Sequence, residues 1–492
     1  MEEAFKWVSV EASRKENWKQ HSFSSDPYVS IMMVQVKPKS YTFNPLLRSF
    51  AMTEKKIFIL AFFLLLLLFP CKPIKSIADE IFPPNSLKEI IGIALDANIG
   101  IRNTRQETAA AMAKKKQSRT FFYPNFNATY QYTRNKDEIS SPFLGVITPE
   151  EEYAFIASVT QPLFAGFSVI NQYEIADLGL NLAKTNEKIV RQDVIFEATK
   201  AYFSILKGEK LVTVSQETVT QISAQKDVVN NFYTVGMSPL NDLLEAEVLL
   251  ANAKQRVVFA KNELETAKSY MNILLRRPID QPIRLVDILS YDPFNYELTY
   301  CLERAEENRL EFKMADLEIA LAEKDVQLTQ KDYYPTVSLK GSYYRFGTEW
   351  DVNGGEGIPD ESTWDIKAVA TWDFWQWGRS SYGVREKKSR LSQAVLKKTQ
   401  LQDEIHFKVK QAFLSMKAAE KNIQTVEKAI EQAKENYRIN EERYKEQVAT
   451  STDVLTAQTL LSSTMTNYYS ALYDFKIAKA SLFREMGMEV LE

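Results

Sequence analysis

The sequence predicts a mainly α-helical protein with membrane β-hairpins, in which long coiled-coil helices carry four strands per chain toward a shared oligomeric transmembrane β-barrel. Three observations lead there. Ile405, Val409, Ala412, Met416, Ala419, Ile423, Val426, Ile430, Ala433, Tyr437, Asn440 and Tyr444 follow one another at alternating spacings of four and three, an unbroken coiled-coil seam. An offset of 211 residues, from 123 to 334, lays Tyr123-Pro124 on Tyr334-Pro335, Tyr233 on Tyr444 and Asp242-Leu243-Leu244 on Asp453-Val454-Leu455, so one long unit is duplicated in tandem. Each copy also holds two stretches of period-two alternation, whereas beyond Phe69 no run approaches the ~20 apolar residues of a membrane-spanning helix.

The N-terminal part reads as targeting sequence. Lys55-Lys56 precede an apolar run from Ile57 to Phe69, and Ser76-Ile77-Ala78 supplies small residues before a cleavage point, so residues 52–78 have the form of a secretory signal peptide. Residues 1–51 then read as an upstream extension outside the fold. Lipidation at Cys71 is the alternative, and Pro70 before it is a poor replacement for a small residue.

The first repeat spans 79–296. A helix is expected over about 86–122, with Ser86 as N-cap and Leu87, Ile90, Ile91, Ala94 and Leu95 on one face. Tyr123-Pro124 ends it. Phe126, Ala128, Tyr130 and Tyr132 then alternate with polar residues, a loop follows from Asn135 to Glu152, and Tyr153, Phe155, Ala157 and Val159 return, giving a hairpin over about 125–163 closed by Pro162 and Gly166. Helices of about 167–233 and 239–276 follow, the longer near 100 Å at ~1.5 Å per residue.

The second repeat, 297–492, has helices expected at about 298–334, 378–446 and 452–487, and a hairpin at about 336–374 whose last strand alternates from Trp364 to Phe374. The shorter helices are half the length of the longer ones. Stacking 239–276 on 298–334, and 452–487 on 86–122, would match the long rods.

Composition narrows the function. With 61 basic and 64 acidic residues, no nucleic-acid-binding balance exists. Two Cys and two His supply catalytic or zinc sites poorly, and no Gly-rich phosphate loop is present, so neither an enzyme nor a cofactor is expected. Four amphipathic strands cannot close a barrel, since the smallest have ~8, and an open edge cannot sit in lipid. Several chains must therefore share one barrel in a ring. On strand count alone a dimer and a trimer both qualify.

From Asp79 to Glu492 the chain resembles the TolC-like family of outer-membrane efflux proteins. The likeness rests on the two-fold repeat, the Tyr-Pro entries to the strands, and the helix break Tyr233-Thr-Val-Gly-Met-Ser-Pro-Leu-Asn-Asp242. It implies a homotrimer in the outer membrane of a Gram-negative bacterium, with a barrel in outer-membrane lipid and a helical tunnel in the periplasm. A periplasmic adaptor and an inner-membrane pump or ABC exporter would feed this tunnel.

By the same resemblance the helix breaks form the periplasmic tip. Val235, Gly236 and Met237 match the adaptor-contact turn; in the second copy Glu446, Gln447 and Val448 hold the corresponding place, so the glycine is lost, and Val448, Ala449 and Thr450 are the candidate contacts of that tip. Asp453 matches an acidic residue of the channel constriction, Thr456 follows one turn later, and Asp242 is its repeat partner. A carboxylate in the first turn of a helix is also favoured by the helix dipole, and that reading stands beside the first. Trp364, Trp372, Trp375 and Trp377, with Tyr123 and Tyr334, are candidate membrane-interface aromatics. A soluble coiled-coil scaffold and a secreted pore-forming protein are the competing classes.

Overall fold

The structure is a computed structural model that describes residues 85–288, 291 and 293–489. The extension 1–51, the signal segment 52–78 and Cys71 lie outside the described residues. Every described residue belongs to one compact unit, Ile81–Glu492.

Helix α1 (Leu87–Ala97) starts at a capping box, in which the Ser86 hydroxyl accepts from the Glu89 N–H at 3.3 Å and the Glu89 carboxylate accepts from the Ser86 N–H at 2.8 Å. The single helix expected over 86–122 is two. Asn98 leaves helical geometry at ψ 129°, and its side chain accepts from the Ile101 N–H, capping α2 (Ile99–Thr120). The second copy breaks at the matching place, Arg309, between α5 (Leu298–Asn308) and α6 (Leu310–Thr329). The hairpin strands are β1 (Asn125–Arg134) and β4 (Glu151–Ala165). The loop between them folds into a small hairpin of β2 (Ile139–Ser141) and β3 (Gly145–Thr148). Helices α3 (Ser168–Thr234) and α4 (Leu240–Leu274) complete the first copy.

The second copy adds β5 (Thr336–Gly347), β6 (Thr363–Thr371), α7 (Arg379–Lys445) and α8 (Ser451–Glu485). The duplication persists in the backbone: Leu298 begins 211 residues after Leu87, Arg379 after Ser168 and Ser451 after Leu240. Every member of the coiled-coil seam on α7 is buried or half-buried, packed chiefly on α8.

The four long strands form one antiparallel sheet in the order β1-β4-β5-β6. Pro162 does not close the hairpin; it sits within β4 at a register shift before Phe164, one of the few places a sheet tolerates its missing N–H. The alternation expected to continue to Phe374 ends its ladder at Thr371, which pairs with Thr336. Among the described residues β6 has only β5 as partner, and β5 begins there, so Trp372 and Phe374 have no strand among them to pair with.

The expected stacking of the short helices is also corrected. Alongside α3, α4 runs from the turn to mid-rod, and α1 with α2 continues from there, the Asn85 N–H donating to Arg284 O and the Val286 N–H to Asn85 O at the joint. Between α3 and α7, α8 is continued by α6: Arg309 reaches Glu485, and Arg484 reaches Glu311. Both pairings have the same length, so helix length could not choose between them; the side chains at the joint do.

At that joint a belt packs two cores. One gathers Leu87, Ile90, Tyr202, Met271 and Tyr473, the other Phe294, Cys301, Met416, Phe475 and Met486. His406, which lies beside the seam, contacts Glu306 at 2.8 Å in a structural position.

Candidate functional site

Two ends of the molecule carry the candidate residues. At the hairpin end, strand register decides which side chains share a face. Ala128 pairs with Ala157, Ala157 with Tyr343 and Tyr343 with Trp364, while Asn127 pairs with Ser158, Ser158 with Ser342 and Ser342 with Asp365. One face is therefore apolar across all four strands and the other is predominantly polar. Trp364 stands on the apolar face, 70% exposed. Eight residues along, Trp372 lies about 26 Å away at ~3.3 Å per residue, comparable to the ~25 Å apolar band of an outer-membrane barrel. Trp375 and Trp377 follow beyond the ladder, exposed and edge to face at 5.6 Å. Tyr334 packs on Phe164 and Phe167 instead, and Tyr123 is exposed where α2 meets β1.

At the other end, α3 and α7 finish in the same turn. Gly236 adopts φ 77°, with its N–H donating to Tyr233 O and that of Met237 to Phe232 O; Gln447 adopts φ 61°, with its N–H donating to Tyr444 O and that of Val448 to Arg443 O. Loss of the glycine has not changed the turn. Val235, Met237 and Val448 project from the two turns, each more than half exposed, while Ala449 is half-buried against a small core of Val229, Leu243, Tyr444 and Val454 that fastens the turns together. Thr450 caps α8.

Asp453 closes that cap. Its carboxylate accepts from the Thr450 N–H at 2.9 Å and the Thr450 hydroxyl at 2.8 Å, and its own N–H donates to Thr450 Oγ1. The Thr450 N–H and hydroxyl hold the Asp453 carboxyl below its usual range. The helix-cap reading thus describes its contacts, yet the residue remains exposed, as does Thr456. Asp242 is half-buried and accepts from the Ser238 hydroxyl at 3.1 Å. Sequence reasoning overlooked Glu245, which accepts from the Thr452 hydroxyl at 3.0 Å and links the two copies. Its signal was available: Glu245 is the repeat partner of Thr456, so the first copy carries an acid where the second has lost one.

The outer membrane efflux protein family matches residues 90–271 and 301–488, one match per repeat. The chain belongs to this family. Outer membrane efflux protein BepC of Brucella suis is 21% identical over 388 residues, covering 78% of this chain and 80% of BepC. Outer membrane protein TolC of Vibrio cholerae is 21% identical over 57% of this chain and 62% of its own length. Among solved structures, the CmeC outer membrane channel of Campylobacter jejuni superposes with a TM-score of 0.73 at 15% identity over 82% of this chain and 87% of CmeC. The open-state MtrE outer membrane channel of Neisseria gonorrhoeae gives 0.69 at 19% identity over 82% and 89%. This outer membrane efflux protein has that channel fold. No helix among its described residues is long and apolar enough to cross a membrane.

Proposed function

We propose that three copies of this outer membrane efflux protein close into a ring whose barrel spans the outer membrane and whose helices form a periplasmic tunnel. Substrate would pass through it passively, from a periplasmic adaptor and an inner-membrane pump or exporter to the outside. One observation carries the reading: the protomer has two unlike, unfinished flanks. One flank is β1, α2 and α4, with Met112, Leu244, Val258 and Phe259 exposed on its helices; the other is β6 and α7, with Leu396, Phe407 and Leu414 exposed on its helix. Unlike flanks associate head to tail, and a closed ring satisfies both strand edges at once. About eight strands leave an interior filled by side chains, so two copies make no conduit and three do.

In that ring Asp453, Thr456, Asp242 and Glu245 would come together three-fold at the narrow end, a cation-attracting constriction. Val235, Gly236 and Met237, with Val448, Ala449 and Thr450, would present the apolar surface that receives the adaptor. Trp364, Trp372, Trp375 and Trp377 would lie at the membrane interfaces.

The test is the mass of the detergent-extracted protein, corrected for bound detergent, with single-channel conductance of the native protein and Asp453→Ala. The expected result is a trimer whose cation selectivity falls in the variant. A monomer or dimer without conductance would overturn the reading.

A further inference from the structure

The two ends of the helical rods differ in charge. Near the turns, residues 231–247 and 438–456 hold three cations against seven carboxylates. Near the strands, residues 114–120, 168–177, 324–334 and 372–390 hold eleven cations against six carboxylates, the cations all within about 17 Å of the strand-side helix ends at ~1.5 Å per residue. Four of those carboxylates already have partners: Lys115–Asp177, Lys324–Glu174, Lys387–Asp325 and Arg390–Glu386. Lys116 and Arg119 on α2 and Arg379, Arg385 and Lys388 on α7 are exposed and make no ion pair among the described residues. Arg385 instead lies 5.5 Å from the ring of exposed Tyr382.

These cations have a defined depth. They begin where the apolar sheet face ends, and exposed Trp375 and Trp377 stand immediately before Arg379. A headgroup layer reaches ~5–7 Å beyond the hydrocarbon, and an unscreened field extends ~8 Å further, so the group lies within reach of lipid phosphates. Helices α2 and α7 are also the two flanks that meet in the ring. The seam would bring like charges together, and an intervening anion would relieve their repulsion.

We propose that this end of the tunnel is a collar that binds anionic phospholipid headgroups of the periplasm-facing leaflet, the phosphodiester seated between α2 of one copy and α7 of the next. The proposal rests on the trimeric reading above, and its test separates the two. Native mass spectrometry of the detergent-extracted protein, titrated with phosphatidylglycerol and with phosphatidylethanolamine, reads oligomer and bound lipid in one spectrum.

The trimer is expected to retain phosphatidylglycerol preferentially. Affinity should fall about fivefold for each contacted cation removed, ~1 kcal/mol, in Arg119→Gln/Arg379→Gln and further in Lys116→Gln/Arg119→Gln/Arg379→Gln/Arg385→Gln. Lys254→Gln/Arg256→Gln on α4 should retain the preference. A trimer that binds both lipids equally, or a double variant that keeps the native preference as a trimer, overturns the collar and leaves the channel standing. Displacement of phosphatidylglycerol by equimolar inorganic phosphate overturns the lipid as occupant. Absence of a trimer in the native protein overturns the ring itself.

Discussion

The inner and flanking elements of the protomer have matched lengths and unequal surroundings. Helices α3 and α7 are both 67 residues long, yet α3 buries sixteen residues and α7 eight; α4 and α8 are both 35 long, yet α8 buries fourteen and α4 six. The duplication set the backbone, and neighbours set the burial. α3 and α8 are enclosed by other helices of the same chain, whereas α4 and α7 each present a face that the other described residues do not cover. The same division runs through the sheet, where β4 and β5 are paired on both sides and β1 and β6 on one.

The sharpest test of that difference substitutes one aromatic on each kind of helix. Phe475 on α8 is 1% exposed and packs against Tyr291, so Phe475→Ala should cost about 3–5 kcal/mol of protomer stability, seen as a lower guanidinium midpoint by circular dichroism. Phe259 on α4 is 59% exposed, and Phe259→Ser should change the protomer by within ~0.5 kcal/mol while shifting the trimer toward monomer in the same detergent. Equal losses of protomer stability would show that the flank is not waiting for a neighbour.

A smaller difference separates the two copies at the belt. Asn98 and Arg309 hold the same repeat position, but Asn98 caps its helix whereas the Arg309 guanidinium, 6% exposed, bonds Glu311 at 2.9 Å and Glu485. Removing one partner of such a buried group costs about 3–5 kcal/mol, and a new cap returns ~1, so Arg309→Asn should lose about 2–4 kcal/mol. Asn98→Ala should lose ~1. Burial pushes the Glu311 carboxyl up, and Arg309, its backbone N–H and Arg484 overcome that and hold it low. A depressed carboxyl stabilises the fold above its unfolded value of ~4.3, and the contribution disappears as pH falls through the folded value. Protection factors of the belt amides, corrected for the intrinsic exchange rate, should therefore fall in acid, and Glu311→Gln should remove that pH step.

Legibility in the sequence followed the same division. Periodicity revealed the long rods and the strands because each carries a continuous apolar stripe or face, as the α7 seam and the register from Ala128 to Trp364 show. The belt was hidden because its contacts are between ends: neither Asn98 nor Arg309 interrupts the amphipathic pattern strongly, and equal helix lengths left two stackings open. That a carboxylate is favoured at Asp453 was readable from its place in the first turn; its exposure and its bonds to Thr450 are contacts of the fold. The Glu245 link required comparing the copies position by position, since Thr452 bonds an acid that its own repeat has lost.

The least costly difference lies at the turns. Gly236 and Gln447 occupy the same left-handed position, with φ of 77° and 61°, and the hydrogen bonds around them match. A side chain in that conformation costs roughly 1–2 kcal/mol relative to glycine, and the second turn retains this strain against the core that includes Tyr444 and Val454. Gln447→Gly should therefore slow amide exchange at Val448 by about fivefold or more, while Gly236→Gln should quicken it at Met237 by a similar factor, each reading ~1 kcal/mol of local opening. The sign should be opposite in the two copies. If both variants quicken exchange, then the Gln447 side chain holds its turn by contacts that outweigh the backbone strain, and the two turns are alike in shape for different reasons.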